Sequence, residues 1–148
     1  MLAVKIREAA VTDFNEIMVL FGKLWPDRYL HKEDMFTVFS RGLRGLSDKY
    51  ICAVIGEKVI GFCAVAYVNN FWQEGHIAYI YAMIVDDSQR GKGIGTRLLA
   101  EAYASAQLAG CKKIELDSGF QREGAHQFYE KNGYSKRAFL FSKDIVQQ

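Results

Sequence analysis

The chain has 148 residues, half of them apolar and 24% charged, and a formal net charge of +2. That length suits a single domain with a sizeable core, and the charge is too small to imply a nucleic-acid partner. The opening residues MLAVKIREAA lack the apolar core of a signal peptide, and no apolar run approaches a membrane span, so a cytoplasmic location without a membrane partner is expected.

Val4 to Ala9 alternates as a first strand would. Thr12 is placed to cap a helix from about Asp13 to Trp25, with Phe14, Ile17, Phe21 and Leu24 on one stripe, and Pro26 ends it. A second helix over Lys32 to Leu46 groups Met35, Phe39, Leu43 and Leu46. Tyr50 to Ile55 and Val59 to Val68 read as two strands around the turn Gly56-Glu57-Lys58. His76 to Val85 is apolar nearly throughout, as a central strand covered on both faces should be. A helix follows over Arg97 to Ala109, and Gly110 closes it. Lys113 to Asp117 is short and strand-like, Glu123 to Asn132 is helical and ends at Gly133, and Tyr134 to Ile145 reads as a last strand. The order βααβββαβαβ predicts an α/β mixed sheet with helices on both faces.

Cys52, Cys63 and Cys111 each lie in an apolar segment and are odd in number, so they read as buried thiols and not as a disulfide framework. The three histidines are scattered without ligand spacing, so no metal site is expected.

The most informative stretch is Gln89 to Thr96, QRGKGIGT, between an apolar strand and an amphipathic helix. The first turn of a helix has amide N–H groups without internal partners and carries the positive end of the helix dipole. Gly91, Gly93 and Gly95 let an anion approach the backbone, and Arg90 and Lys92 add positive charge. The stretch reads as a phosphate-binding loop. A P-loop is excluded because no glycine is followed by Lys and then Ser or Thr. A dinucleotide fingerprint fails too, because Gly95 comes one position too early for G-x-G-x-x-G.

What remains is Arg90-Gly91-Lys92-Gly93-Ile94-Gly95, R-x-x-G-x-G, which resembles the pyrophosphate loop of the GNAT acyl-CoA N-acyltransferase superfamily. A second signature lies downstream, where Ala125 to Tyr134 (AHQFYEKNGY) is similar to the family's A-x-x-[FLY]-Y-E-x-x-G-[FY] helix. With the matching element order, the resemblance covers nearly the whole chain and implies a single N-acetyltransferase domain of the bacterial type over residues 1–148.

The resemblance implies acetyl-CoA as acyl donor, with no metal. It implies a splayed slot between His76–Val85 and Lys113–Ser118 that admits the pantetheine arm. Main-chain groups of Met83, Ile84 and Val85 would bond the arm, a bulge near Tyr81 to Met83 would aim an N–H at the thioester oxygen, and the amides of Arg90 to Thr96 would hold the pyrophosphate. Arg122 sits three residues before Ala125, where many relatives carry a cofactor-contacting Asn. Tyr129 occupies the family's acid position, as proton donor to the CoA thiolate.

The base is less defined. Many relatives carry a glutamate where Tyr81 stands here, so Glu74, His76 and Asp117 become candidates acting through water. His126, on the motif helix, is expected to face away from the slot. Trp25, Tyr29, Phe71, Trp72 and Tyr79 are candidate walls of an acceptor pocket, with Asp27, Glu33, Asp34 or Glu74 to attract a cationic amine. The expected reaction is acetyl transfer to the amine of a small molecule by direct attack in a ternary complex. A protein lysine or N-terminal acetyltransferase, or a non-catalytic acyl-CoA-binding module, are the alternatives, and exposed strand edges leave a homodimer open.

Overall fold

Alternating and helical apolar periodicities divide the chain much as the sequence suggests. In the computed structural model, which describes residues 3–148, five strands form one sheet in chain order. They are β1 (Val4–Glu8), β2 (Asp48–Ile55), β3 (Lys58–Asn70), β4 (Gly75–Val85) and β5 (Ile114–Leu116). Neighbours are antiparallel except β4 and β5, a parallel pair joined by helix α3 (Ile94–Leu108). A parallel pair needs such a crossover. Helices α1 (Phe14–Leu24) and α2 (Lys32–Arg44) separate β1 from β2, and α4 (Glu123–Lys131) follows β5. The mixed α/β architecture is the expected one. No helix among the described residues is long and apolar enough to cross a membrane.

The chain divides into two compact units, the first ending at Leu116 and the second running from Asp117 to Gln148. The second contains α4, closed by Gly133 at φ +92°. The final strand expected over Tyr134 to Ile145 is not among its elements, since residues 134–148 carry no regular secondary structure. Apolar alternation reports the period of burial and does not by itself report strand pairing.

The sheet's two faces are sorted by the period of 2. Tyr50, Cys52, Val54, Phe62 and Ala64 form one cluster with Phe14, Ile17 and Leu20 of α1 and Phe39 of α2. The opposite face meets α3, whose Ile94, Leu98, Leu99, Ala102 and Ala106 are buried. There a side chain at Gly61 would meet Leu98 Cδ1 at 3.2 Å and Ala53 Cβ at 3.3 Å, so strand and helix approach closely. Gly42 serves α2 in the same way: a Cβ there would lie 2.1 Å from Tyr50 Oη, so its absence seats the Tyr50 ring against the helix. Burial pushes the Cys52 and Cys63 thiols up to about 12, which leaves both as packing groups without nucleophilic character.

Two local expectations change. Leu46 lies beyond the end of α2 and is exposed, because the helix stops at Arg44. The start of α1 is organised by Asp13 rather than Thr12. A 3-10 turn, Val11–Asp13, precedes the helix, and Asp13 accepts the Ala10 N–H at 2.7 Å and a two-point pair from Arg7 at 2.7 and 2.9 Å. A carboxylate answers a backbone N–H and a guanidinium together, which a threonine hydroxyl cannot do.

The Arg7 hydrogen bonds hold the Asp13 carboxyl below the usual aspartate range. The stabilisation is therefore present in full above the unfolded aspartate pKa of about 3.9, and is lost as pH falls through the folded value. Asp13→Ala is expected to cost about 1–3 kcal/mol in denaturant unfolding at pH 7. The gap from the parent chain should narrow in acid. A gap that stays constant down to the acid transition would contradict this role for the pair.

Candidate active site

Three features of the first unit converge on the end of β4. The first is the glycine loop. At the base of the loop, the Asp86 N–H donates to Ile60 O at 2.8 Å, and the Asp86 carboxylate accepts from Lys23 Nζ at 2.5 Å and Ser88 Oγ at 2.6 Å. These two donors, Lys23 first, hold Asp86 below the usual carboxylate range and tie the loop to α1. A 3-10 turn at Asp87–Gln89 leads to Gly91 at φ +79° and Gly93 at φ +78°, and α3 opens at Ile94. An added Cβ at Gly91 or Gly93 would meet nothing within 4 Å, so backbone conformation, not crowding, calls for glycine at both. Among the described residues, the amides of Gly91 to Thr96 have no hydrogen-bond acceptor. They form a set of donors at a helix N-terminus, suited to an anion. Arg90 pairs with Asp87 at 3.0 Å, and Lys92 Nζ donates to Gln89 at 3.1 Å, so both cations stand on the rim of the loop.

The second feature is an open strand edge. Strand β5 pairs with β4 only from Ala78 to Ile80, while β4 continues to Val85. Within the first unit, Ala82 to Val85 have a partner on the β3 side alone. The expected bulge lies where this edge opens. Ala64 pairs with Ala82 and Val65 with Ile80, which leaves Tyr81 as the extra residue. A bulge re-aims a side chain, and here the consecutive residues Tyr81 and Ala82 both face one cavity. The Ile84 side chain packs in the core, and Met83 pairs with Cys63.

That cavity is the third feature, with a volume of about 440 Å³ between α1, α2 and the sheet. Its walls are apolar and aromatic, including Phe21, Trp25, Phe39 and Phe62, and among the described residues Arg28 is the one formally charged side chain in the lining. At its sheet-side wall, Tyr81 Oη donates to the Asp48 carboxylate, and the Tyr81 and Tyr50 phenol oxygens lie 2.9 Å apart. Tyr50 Oη also reaches Val38 O at 3.2 Å. Burial first, then the bonds with Asp48 and Tyr50, pushes the Tyr81 phenol above its ordinary value. Burial pushes Tyr50 up as well.

Other expected site residues fall elsewhere. Glu74 lies in the β3–β4 turn at φ +56°, with its N–H bonded to Phe71 O at 3.0 Å. It is seven residues before Tyr81, roughly 23 Å along the strand at about 3.3 Å per residue. His76 is bonded to Ala109 O at 2.8 Å. Of the expected aromatic walls only Trp25 lines the cavity. Tyr29 packs against His31, Phe71 and Trp72 project from the β3–β4 turn, and Tyr79 stacks on Tyr81. Asp27, Glu33, Asp34 and Glu74 do not line it either, so the expected acidic lining is replaced by Arg28.

Asp117, Arg122 and Tyr129 belong to the second unit. Arg122 caps α4, with its carbonyl accepting the His126 N–H at 3.0 Å, and the His126 ring meets Gly119 O at 2.8 Å. The Tyr129 ring lies against Phe128 and Tyr134, at centroid distances of 5.4 and 6.1 Å. The sequence reading missed Asp48 and Arg28. Alternation along β2 carries a signal for Asp48, since residues 48, 50 and 52 share a face and Tyr50 and Cys52 are core.

Comparison with known proteins places these features in a family context. Residues 11–134 match the Acetyltransferase (GNAT) family. The chain is 27% identical to an uncharacterized N-acetyltransferase of Methanocaldococcus jannaschii over 89% of its own length, and spans 61% of that protein. It is 27% identical to the aminoalkylphosphonate N-acetyltransferase of Salmonella typhimurium, over 95% of this chain and 91% of that one. Among solved structures, a transcriptional regulator from Bacillus halodurans C-125 superposes with a TM-score of 0.88 at 25% identity, covering 97% of this chain and all of that chain.

Proposed function

Because the chain belongs to the Acetyltransferase (GNAT) family, we propose that it transfers the acetyl group of acetyl-CoA to a primary amine of a small molecule, by direct attack in a ternary complex. The observation that carries this reading is the set of amides from Gly91 to Thr96 that have no acceptor among the described residues, at the end of a strand whose edge beyond Ile80 is unpaired within the first unit. The loop holds the pyrophosphate. The pantetheine arm runs along β4, bonded to the main chain around Met83, Ile84 and Val85, and brings the thioester to the bulge. Arg90, Lys92 and Arg122 supply positive charge to the cofactor. The family match spans both units, and we read the whole as one catalytic domain.

Acetyl-CoA supplies an activated acyl group, so the protein's part is to orient, to move protons and to stabilise charge. A backbone donor at the bulge meets the tetrahedral oxyanion, an interaction worth about 3 kcal/mol in comparable sites. Tyr129 returns a proton to the thiolate: a phenol of pKa about 10 and a thiol of about 8.5 are close enough for efficient transfer. The apolar cavity receives the body of the acceptor. Arg28 favours an anionic substituent on it, in keeping with the aminoalkylphosphonate that the Salmonella relative is named for.

Competition binding tests the donor. CoA is expected to displace a fluorescent acyl-CoA analogue at concentrations where ATP and NAD do not. Preferential binding of ATP or NAD would overturn the reading.

A further inference from the structure

At neutral pH the acceptor arrives as an ammonium, and only roughly one alkylamine in a thousand is neutral at pH 7. The reaction therefore needs a route for a proton out of an apolar cavity. Among the described residues, no carboxylate lines that cavity. The chain instead places a phenol there, at the bulge of β4, with a carboxylate directly behind it.

Resting on the acetyltransferase reading, we propose that Tyr81 and Asp48 form a two-member proton relay that carries the acceptor's proton from the cavity to solvent. Tyr81 lines the cavity beside Ala82, where β4 runs on beyond its pairing with β5, and this sets the phenol beside an acceptor held in the cavity. Tyr81 has one proton to give, and the anionic Asp48 is a stronger acceptor for it than the neutral Tyr50 hydroxyl. That leaves the Tyr81 lone pairs for the ammonium. Asp48, at the first position of β2, is half-buried and has no cation within ion-pair distance among the described residues.

The proton count closes. The ammonium N–H bond breaks as its proton joins Tyr81 Oη, and the proton already on Tyr81 moves to Asp48 Oδ2. The phenol is neutral before and after, which fits a hydroxyl that burial holds protonated. The freed nitrogen lone pair attacks the thioester carbonyl, the C–S bond breaks, and the thiolate gains a proton as nitrogen loses one to become an amide. The proton on Asp48 leaves to water. It does not rest there: a carboxylate is about a million-fold weaker as a base than an alkylamine, so Asp48 is a station on the way out. Charged or titratable groups near the pair include Tyr50 on β2, Tyr79 on β4, Arg41 on α2 and Arg28 at the cavity, and Glu115 on β5 is the register partner of Tyr79. Tyr81 is thus a catalytic residue and Asp48 a positioning residue that acts through it.

The test compares the parent chain with Asp48→Asn, Tyr81→Phe and the double variant, using an alkylamine and trifluoroethylamine, which is largely neutral at pH 7. With the alkylamine each single variant is expected to lose about 100-fold in kcat, the KM for acetyl-CoA should stay unchanged, and the double should be no worse than the poorer single. With trifluoroethylamine the loss should shrink to a few-fold, because no proton has to leave before attack. Asp48→Glu should recover part of the activity. An equal loss with both amines, or full activity of Asp48→Asn on the alkylamine, would overturn the relay. If Asp48→Asn melts early, Tyr81→Phe, which keeps the ring, carries the same comparison. A parent chain that binds acetyl-CoA and acetylates no amine would overturn the acetyltransferase reading itself, and the relay with it.

Discussion

Tyr129→Phe is expected to lower kcat by about 100-fold or more and to leave the KM for acetyl-CoA within a few-fold. The substitution keeps the ring that packs against Phe128 and Tyr134 and removes only the hydroxyl, so α4 should retain its packing. On the proposed reading, what it removes is the proton donor for the departing thiolate. Without it the thiolate must leave unprotonated or wait for water. A purely structural role for the hydroxyl would show instead as a lower melting midpoint with kcat preserved, and that result would remove Tyr129 from the reaction.

Gly93→Val should act on the opposite kinetic parameter. At φ +78° a β-branched residue is strained by roughly 1–2 kcal/mol, and relief of that strain turns the loop amides away from a common centre. Its side chain also enters the space over the loop, which no protein atom occupies within 4 Å of an added Cβ. The KM for acetyl-CoA is expected to rise about 10- to 100-fold, equivalent to roughly 1.4–2.8 kcal/mol of lost binding. Turnover at saturating acetyl-CoA should change little. An unchanged KM would mean that the pyrophosphate is held elsewhere.

These two variants probe the features most visible in the sequence. The loop was legible because its chemistry is local: three alternating glycines, two cations and a following helix fix the conformation within eight residues. The strands from β2 to β4 were legible for a similar reason, since the period of apolar residues reports burial directly. Even the bulge was anticipated, through family resemblance, and it lies at Tyr81.

The parts that escaped depend on long-range contacts. Asp48 looks like a solvated strand start until β3 and β4 bring Tyr81, 33 positions later, against it. Trp72 and Phe71 look like pocket walls by residue type, yet the β3–β4 turn carries them outside the cavity. By residue type Thr12 is placed to cap α1, since hydroxyls commonly cap, whereas the pairing that selects Asp13 comes from Arg7 on β1. The sequence also suggested an acidic lining for the acceptor pocket. The loop between α1 and α2 supplies Arg28 there instead, and on the proposed reading that favours an amine with an anionic substituent.

The reaction proposed for this chain is acetyl transfer from CoA to an amine. The most direct measurement follows thiol release and product mass together, with purified chain, acetyl-CoA and a panel of small primary amines, some carrying an anionic group. One N-acetylated amine is expected for each free CoA thiol, with initial-rate lines that intersect when both substrates are varied. Thiol release without acetylated amine, or acetyl-CoA binding with no amine in the panel modified, would contradict it.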